Sequence, residues 1–195
     1  YDLQRTTDRR IAIDPPRDGD PRLSGLAASR ARRGVAILGL LLLGCLPLGA
    51  CAPRLQEIGP PIDPPALTDK AFHTADGVDL PLRKWLPWEE PFKSDPKAVV
   101  LALHGFNDYS IAFELPGHGL ARRGFAVFAY DQRGFGQTPQ RGVWPGNAQL
   151  IADLNTATRL LHAKYPGKPL FLLGESMGAA VAMAAAISPD PPQAD

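Results

Sequence analysis

Cysteine is nearly absent from this chain. Only Cys45 and Cys51 occur in 195 residues, which excludes a disulfide-built scaffold. Charge of one sign is missing too: 21 Lys and Arg face 20 Asp and Glu, a net charge of +1, so there is no basic footprint for nucleic acid. No segment repeats itself, which sets solenoid and propeller architectures aside. The apolar run at residues 34–50 is broken at Pro47 and falls short of the roughly 20 residues that span a bilayer comfortably. Finally, no histidine follows residue 162.

What is present suits one globular domain. The chain is 45% hydrophobic and 21% charged, enough to build a core. Its 21 prolines gather in connecting stretches such as 14–16, 59–65 and 189–192, which read as linkers and turns. Arg30-Ala31-Arg32-Arg33 precedes the apolar run, and small residues follow it. That layout belongs to a secretory signal.

The run ends in Leu48-Gly49-Ala50-Cys51, which resembles the lipobox of bacterial lipoproteins. The resemblance implies cleavage before Cys51 and lipidation of its thiol. The chain would then be held to a membrane by buried acyl chains, each methylene contributing about 0.8 kcal/mol. Ala52 in place of Asp implies the outer membrane, facing the periplasm. Leu42-Leu43-Gly44-Cys45 is a second, weaker match, and a plain signal anchor with unmodified Cys51 is the alternative. Residues 1–29 are polar and unassigned; an alternative start near Leu23 or Leu26 would leave them untranslated. Residues 30–50 form the signal, 51–69 a proline-rich tether, and 70–195 part of a folded domain.

Within that domain, residues 70–74 and 78–85 are short apolar stretches joined by Ala75-Asp76-Gly77, a hairpin signal. Ala98–Leu103 is an unbroken apolar run expected as a buried strand. Residues 110–123 are helix-like, with an interruption expected at Pro116-Gly117. Phe125–Tyr130 is a second buried strand. Asn147–Lys164 carries Leu150, Ile151, Leu154, Ala157, Leu160 and Leu161 at helical spacing. A third strand is expected at 169–173 and an apolar helix at 177–187. Alternating strands and helices predict a parallel sheet covered on both faces.

The strongest chemical signal is Gly174-Glu175-Ser176-Met177-Gly178, a G-x-S-x-G pentapeptide between an apolar strand and an apolar helix. A serine on so sharp a turn is pushed to the top of the sheet, small neighbours relieve the crowding, and the helix start offers N–H groups to developing negative charge. His104-Gly105-Phe106-Asn107-Asp108 follows the first buried strand, and Tyr130-Asp131-Gln132-Arg133-Gly134-Phe135-Gly136 follows the second. Together these three motifs resemble the α/β-hydrolases, in the branch of lysophospholipases and monoacylglycerol lipases also called serine aminopeptidase S33, over about residues 70–187.

That resemblance implies an α/β-hydrolase fold with a mostly parallel sheet and Ser176 as nucleophile. It implies the backbone N–H groups of Phe106 and Met177 as oxyanion hole, a small lipid or ester as substrate, and no metal or organic cofactor. It makes His104 structural rather than the base. Asp131 is expected to pin the Gly134 turn, with Arg133 as a candidate partner, and Trp144 either lines the pocket or merely packs. His73, His118 and His162 are expected in surface or structural roles.

A serine nucleophile needs a base, and in this fold the order is Ser, then Asp or Glu, then His. No His follows Ser176, and only Asp190 and Asp195 follow as acids. The expectation is an amino-terminal part of a larger hydrolase, itself inactive. The alternatives are a peptidase or acyltransferase of the same fold, or a non-catalytic membrane-tethered binding module. Nothing in the residues speaks to oligomeric state.

Overall fold

A computed structural model of the chain describes residues 54–88 and 94–195. The signal, the lipobox with Cys51, and residues 1–29 lie outside the described residues. Among those described, no helix is long and apolar enough to cross a membrane.

Among the described residues, six strands form one sheet: β1 (Ala66–Leu67), β2 (Ala71–His73), β3 (Asp79–Trp85), β4 (Ala98–Leu103), β5 (Phe125–Tyr130) and β6 (Leu170–Gly174), ordered β1-β2-β3-β5-β4-β6. Strand β4 runs parallel to β5 and to β6. The amino-terminal hairpin joins antiparallel to β5 through β3, so the sheet is mixed. At the hairpin turn Gly77 has φ +77°, and the Thr74 hydroxyl donates to Asp76 Oδ1 at 2.6 Å. Aspartate and glycine there supply a side-chain acceptor and a left-handed backbone.

All six residues of β4 are buried, and their alternation splits the core into two layers. Val99, Leu101 and Leu103 join Phe128, Tyr130, Leu154, Leu161 and Val181 on one face. That face is covered by α2 (Asn147–Lys164) and α3 (Met177–Ala186). Val100 and Ala102 join Trp85, Phe113, Ala121, Val127 and Ala129 on the other, beneath α1 (Glu114–Ala121). At the sheet edge, β6 leaves Phe171 and Leu173 exposed; so are Met183 of α3 and Ile187, the residue after it.

The interruption expected at Pro116-Gly117 does not occur. A 3₁₀ turn (Ser110–Phe113) leads directly into α1, and Pro116 falls in its first turn, where a backbone N–H has no intrahelical partner to lose. Gly117 is needed for closeness: a Cβ there would lie 2.4 Å from the Trp85 ring.

Candidate functional site

Because β5, β4 and β6 are parallel neighbours, their carboxyl ends lie along one edge of the sheet, where open α/β sheets place their sites. Ser176 follows β6 at φ +48°, ψ −109°, a left-handed conformation that costs energy for a side chain with a Cβ. The turn holding it is tight. A Cβ on Gly174 would lie 2.4 Å from Ala179 Cα, and one on Gly178 would lie 2.1 Å from the Leu103 carbonyl oxygen. Glu175 N–H donates to Leu103 O at 3.0 Å, locking the turn to the end of β4. Ser176 is exposed. The next N–H, that of Met177, opens α3, where first-turn amides lack intrahelical acceptors.

The turn after β4 lies against this serine: a Cβ on Gly105 would be 3.5 Å from Ser176 Cβ. Asn107 takes φ +60° and turns the chain away. Phe106 is 69% exposed, so the fold gains little burial by choosing phenylalanine there. The structure thus brings Phe106, Ser176 and Met177 to one spot, while Cys51 lies outside the described residues.

His104 is fully buried with both ring nitrogens engaged. Nε2 accepts the Gln132 N–H at 2.9 Å, so Nδ1 carries the proton and donates to Gly105 O at 2.8 Å. Burial holds its pKa below the ordinary histidine range, against the pull of the Gly105 carbonyl. A neutral ring with no free lone pair is a brace and not a base. Gln132 Nε2 completes the brace by donating to His104 O at 2.8 Å.

Asp131 also pins its surroundings, through Ser110 and Gln137. Its Oδ1 accepts from Ser110 N–H and from the Ser110 hydroxyl, and its Oδ2 accepts from Gln137 N–H at 2.9 Å. Arg133 is not its partner, contrary to expectation. The guanidinium is buried between Asp76 and Asp153, at 2.6 and 2.7 Å, because those carboxylates approach from the hairpin and from α2. Burial pushes Asp153 above the usual carboxylate range, more than Arg133 pulls it down. The hydrogen bonds of Asp76 to Arg133 and Thr74 outweigh its own desolvation and leave it lowered.

Aromatic edges continue outward. Phe135 meets His104, Phe106 and Trp144 at centroid distances of 5.7, 5.4 and 6.2 Å, all edge-to-face. A cavity of about 230 Å³ lies beside the oxyanion turn, walled by Phe106, Tyr109, Phe135, Val143 and Trp144. A second, of about 240 Å³, is walled by Trp144, Ile151, Met177, Val181 and Ala184. Trp144 therefore lines both. Phe106, after β4, lines the first cavity and Met177, next to Ser176, lines the second, so both open near the exposed serine. Among the described residues, no cluster of three His, Cys, Asp or Glu is arranged to hold a metal ion.

The family model for serine aminopeptidase S33 matches residues 94–194, more than half of the chain. The chain belongs to that family of α/β-hydrolases. This S33 chain is similar to the monoglyceride lipase of Homo sapiens, 34% identical over 116 residues covering 56% of this chain and 35% of the lipase. Among solved structures it resembles a lipase in its open form, at TM-score 0.53 and 30% identity over 64% of this chain and 41% of that one. It also resembles a thermostable carboxyl esterase from Bacillus coagulans, at TM-score 0.51 and 26% identity over 62% and 39%. The chain spans about a third of the length of the curated relatives it matches. These likenesses place its fold among the α/β-hydrolases. The Asp76–Arg133–Asp153 cluster escaped the sequence reading, although Asp153 sits between Leu150 and Leu154 on the buried side of α2, where a lone carboxylate demands a partner.

Proposed function

We propose that the whole protein is a serine hydrolase of carboxylic esters, acting on monoacylglycerols or lysophospholipids. The observation that carries this reading is Ser176, held exposed at positive φ above β6 with the 105–106 turn packed against it. In this mechanism Ser176 Oγ attacks the ester carbonyl and gives up its proton to a base. The oxyanion is received by the N–H groups of Phe106 and Met177, donors worth roughly 10²–10³ in rate. Collapse expels the alcohol and leaves an acyl-enzyme; water then attacks, releasing the fatty acid and restoring the serine. By the chain order of this fold, the histidine base and its orienting acid follow the nucleophile; residues 177–195 hold no histidine, so residues 1–195 alone are expected to be inactive. Monoglyceride lipase relatives and the apolar cavities around Trp144 support the acyl-lipid substrate.

We further propose lipidation of Cys51 and attachment to the cell envelope, at the outer membrane facing the periplasm, supported by the lipobox-like residues 48–51. The test is fluorophosphonate labelling of the full-length protein in membranes. Label on Ser176, lost with Ser176→Ala together with lipase activity, is the expected result. Full activity in Ser176→Ala would overturn the mechanism.

A further inference from the structure

Residues 54–57 lie well before residue 94, where the family match begins, yet they are bonded to the wall of the cavity beside Phe106. Leu55 pairs with Trp144 in a parallel bridge, and Gln56 N–H donates to the Trp144 carbonyl at 2.9 Å. The Gln56 side chain is itself buried. Its Nε2 donates to Val143 O at 2.7 Å and reaches Gln140 O at 3.4 Å.

The loop gripped in this way is not one that holds itself easily. Gln140 sits at φ +57°, a conformation that costs energy for a residue with a Cβ and needs neighbours to hold it, while Gly142 takes φ +85°, which glycine adopts freely. Its internal support is Gly142 N–H to Gly134 O at 2.8 Å and Val143 N–H to Gln140 O at 3.0 Å. Gln56 adds side-chain bonds to the carbonyls on either side of Arg141-Gly142, and its main chain fixes Trp144. Trp144 is the one residue shared by the walls of the two cavities.

We propose that residues 54–57 form a strap that fixes Trp144 as the partition between the two cavities, making Gln56 a positioning residue for ester chain length. This inference rests on the reading of Ser176 as an esterase nucleophile. Without the strap the loop relaxes, the indole loses its fixed register, and the cavities on either side are no longer held apart.

The test uses the full-length protein with Gln56→Met, which keeps the volume and removes the donor, and with Gln56→Asn, which keeps polarity but is too short to reach Val143. Two readouts are taken. The first is tryptic cleavage after the exposed Arg141, with the exposed Arg122 and Arg123 as internal controls. The second is the ratio of kcat/KM for p-nitrophenyl decanoate and butyrate. Loss of a net hydrogen bond predicts roughly fivefold faster cleavage at Arg141 relative to the controls, and a roughly fivefold shift in the ester ratio carried by KM. Unchanged cleavage and ratio in both variants would overturn the strap. So would parallel acceleration at all three arginines with a fall in Tm, the signature of general destabilisation. Absence of fluorophosphonate label on Ser176 in the unsubstituted protein would overturn the esterase reading alone, and cleavage at Arg141 would still decide the strap.

Discussion

The two halves of the candidate site are held by different physics. The turn after β4 rests on polar bonds: His104 braced at both nitrogens, Gln132 returning to His104 O, and Asp131 accepting from Ser110 and Gln137. The turn after β6 rests on closeness, with Gly174 and Gly178 letting backbone meet backbone. A polar network tolerates a change in side-chain volume but not the loss of a partner. A steric contact tolerates neither a methyl group nor a shift of the helix.

The comparison is broken most severely at Gly178. A Cβ placed 2.1 Å from Leu103 O forces α3 off the end of β4, so Gly178→Val should cost about 3 kcal/mol, the upper end for overpacking. Urea unfolding measures the loss and fluorophosphonate labelling the collapse of the Ser176 turn; a fully stable, fully labelled variant would refute steric locking.

Asp131→Ala comes next. It strands Ser110 N–H, the Ser110 hydroxyl and Gln137 N–H without their acceptor, for an expected loss of about 2–3 kcal/mol. Thermal unfolding should show the drop. Asp131→Asn should recover part of it, because an amide oxygen can still accept.

Acid should find the polar half first. The pKa of His104 is depressed by burial, so between that value and the unfolded value near 6.5 the unfolded chain binds the extra proton. Stability is therefore present above about pH 6.5 and falls below it, by up to about 1.4 kcal/mol per pH unit. His73 works in the opposite sense. Its hydrogen bond to Asp79 raises its pKa, so its contribution is full below about 6.5 and lost as pH rises through the raised value. Chemical unfolding between pH 7 and 5.5 in a His73→Asn background isolates His104. A flat profile there would mean that the brace survives protonation.

The smallest effect belongs to Phe106→Ala. The residue is 69% exposed and the proposed donor is its backbone N–H, so stability should change by less than about 0.5 kcal/mol. KM for long-chain esters should rise, because the ring walls the cavity. A large drop in kcat on short esters would mean that the side chain does more.

Much of this was legible from residue order. Ala98–Leu103, Phe125–Tyr130 and Asn147–Lys164 have the same bounds in the sequence reading and in the structure, because unbroken apolar runs and helical spacing are local signals. The insertion of β5 between β3 and β4 was not legible, since the choice of neighbour is made by the whole sheet. Ser176, Phe106 and Met177 could be named because their turns are contiguous motifs. Gln56 and the Asp76–Arg133–Asp153 cluster could not, since their partners lie 84 or more and up to 57 residues away. Pro116 misled because proline is read as a breaker until its position in the helix is known.

The tight glycine turn has a consequence for protein engineering. A combinatorial library that varies positions 174 or 178 would spend most of its members on chains that do not fold. The aromatic rim of Phe106, Phe135 and Trp144 touches open space on at least one side, and diversity placed there leaves the glycine turn intact.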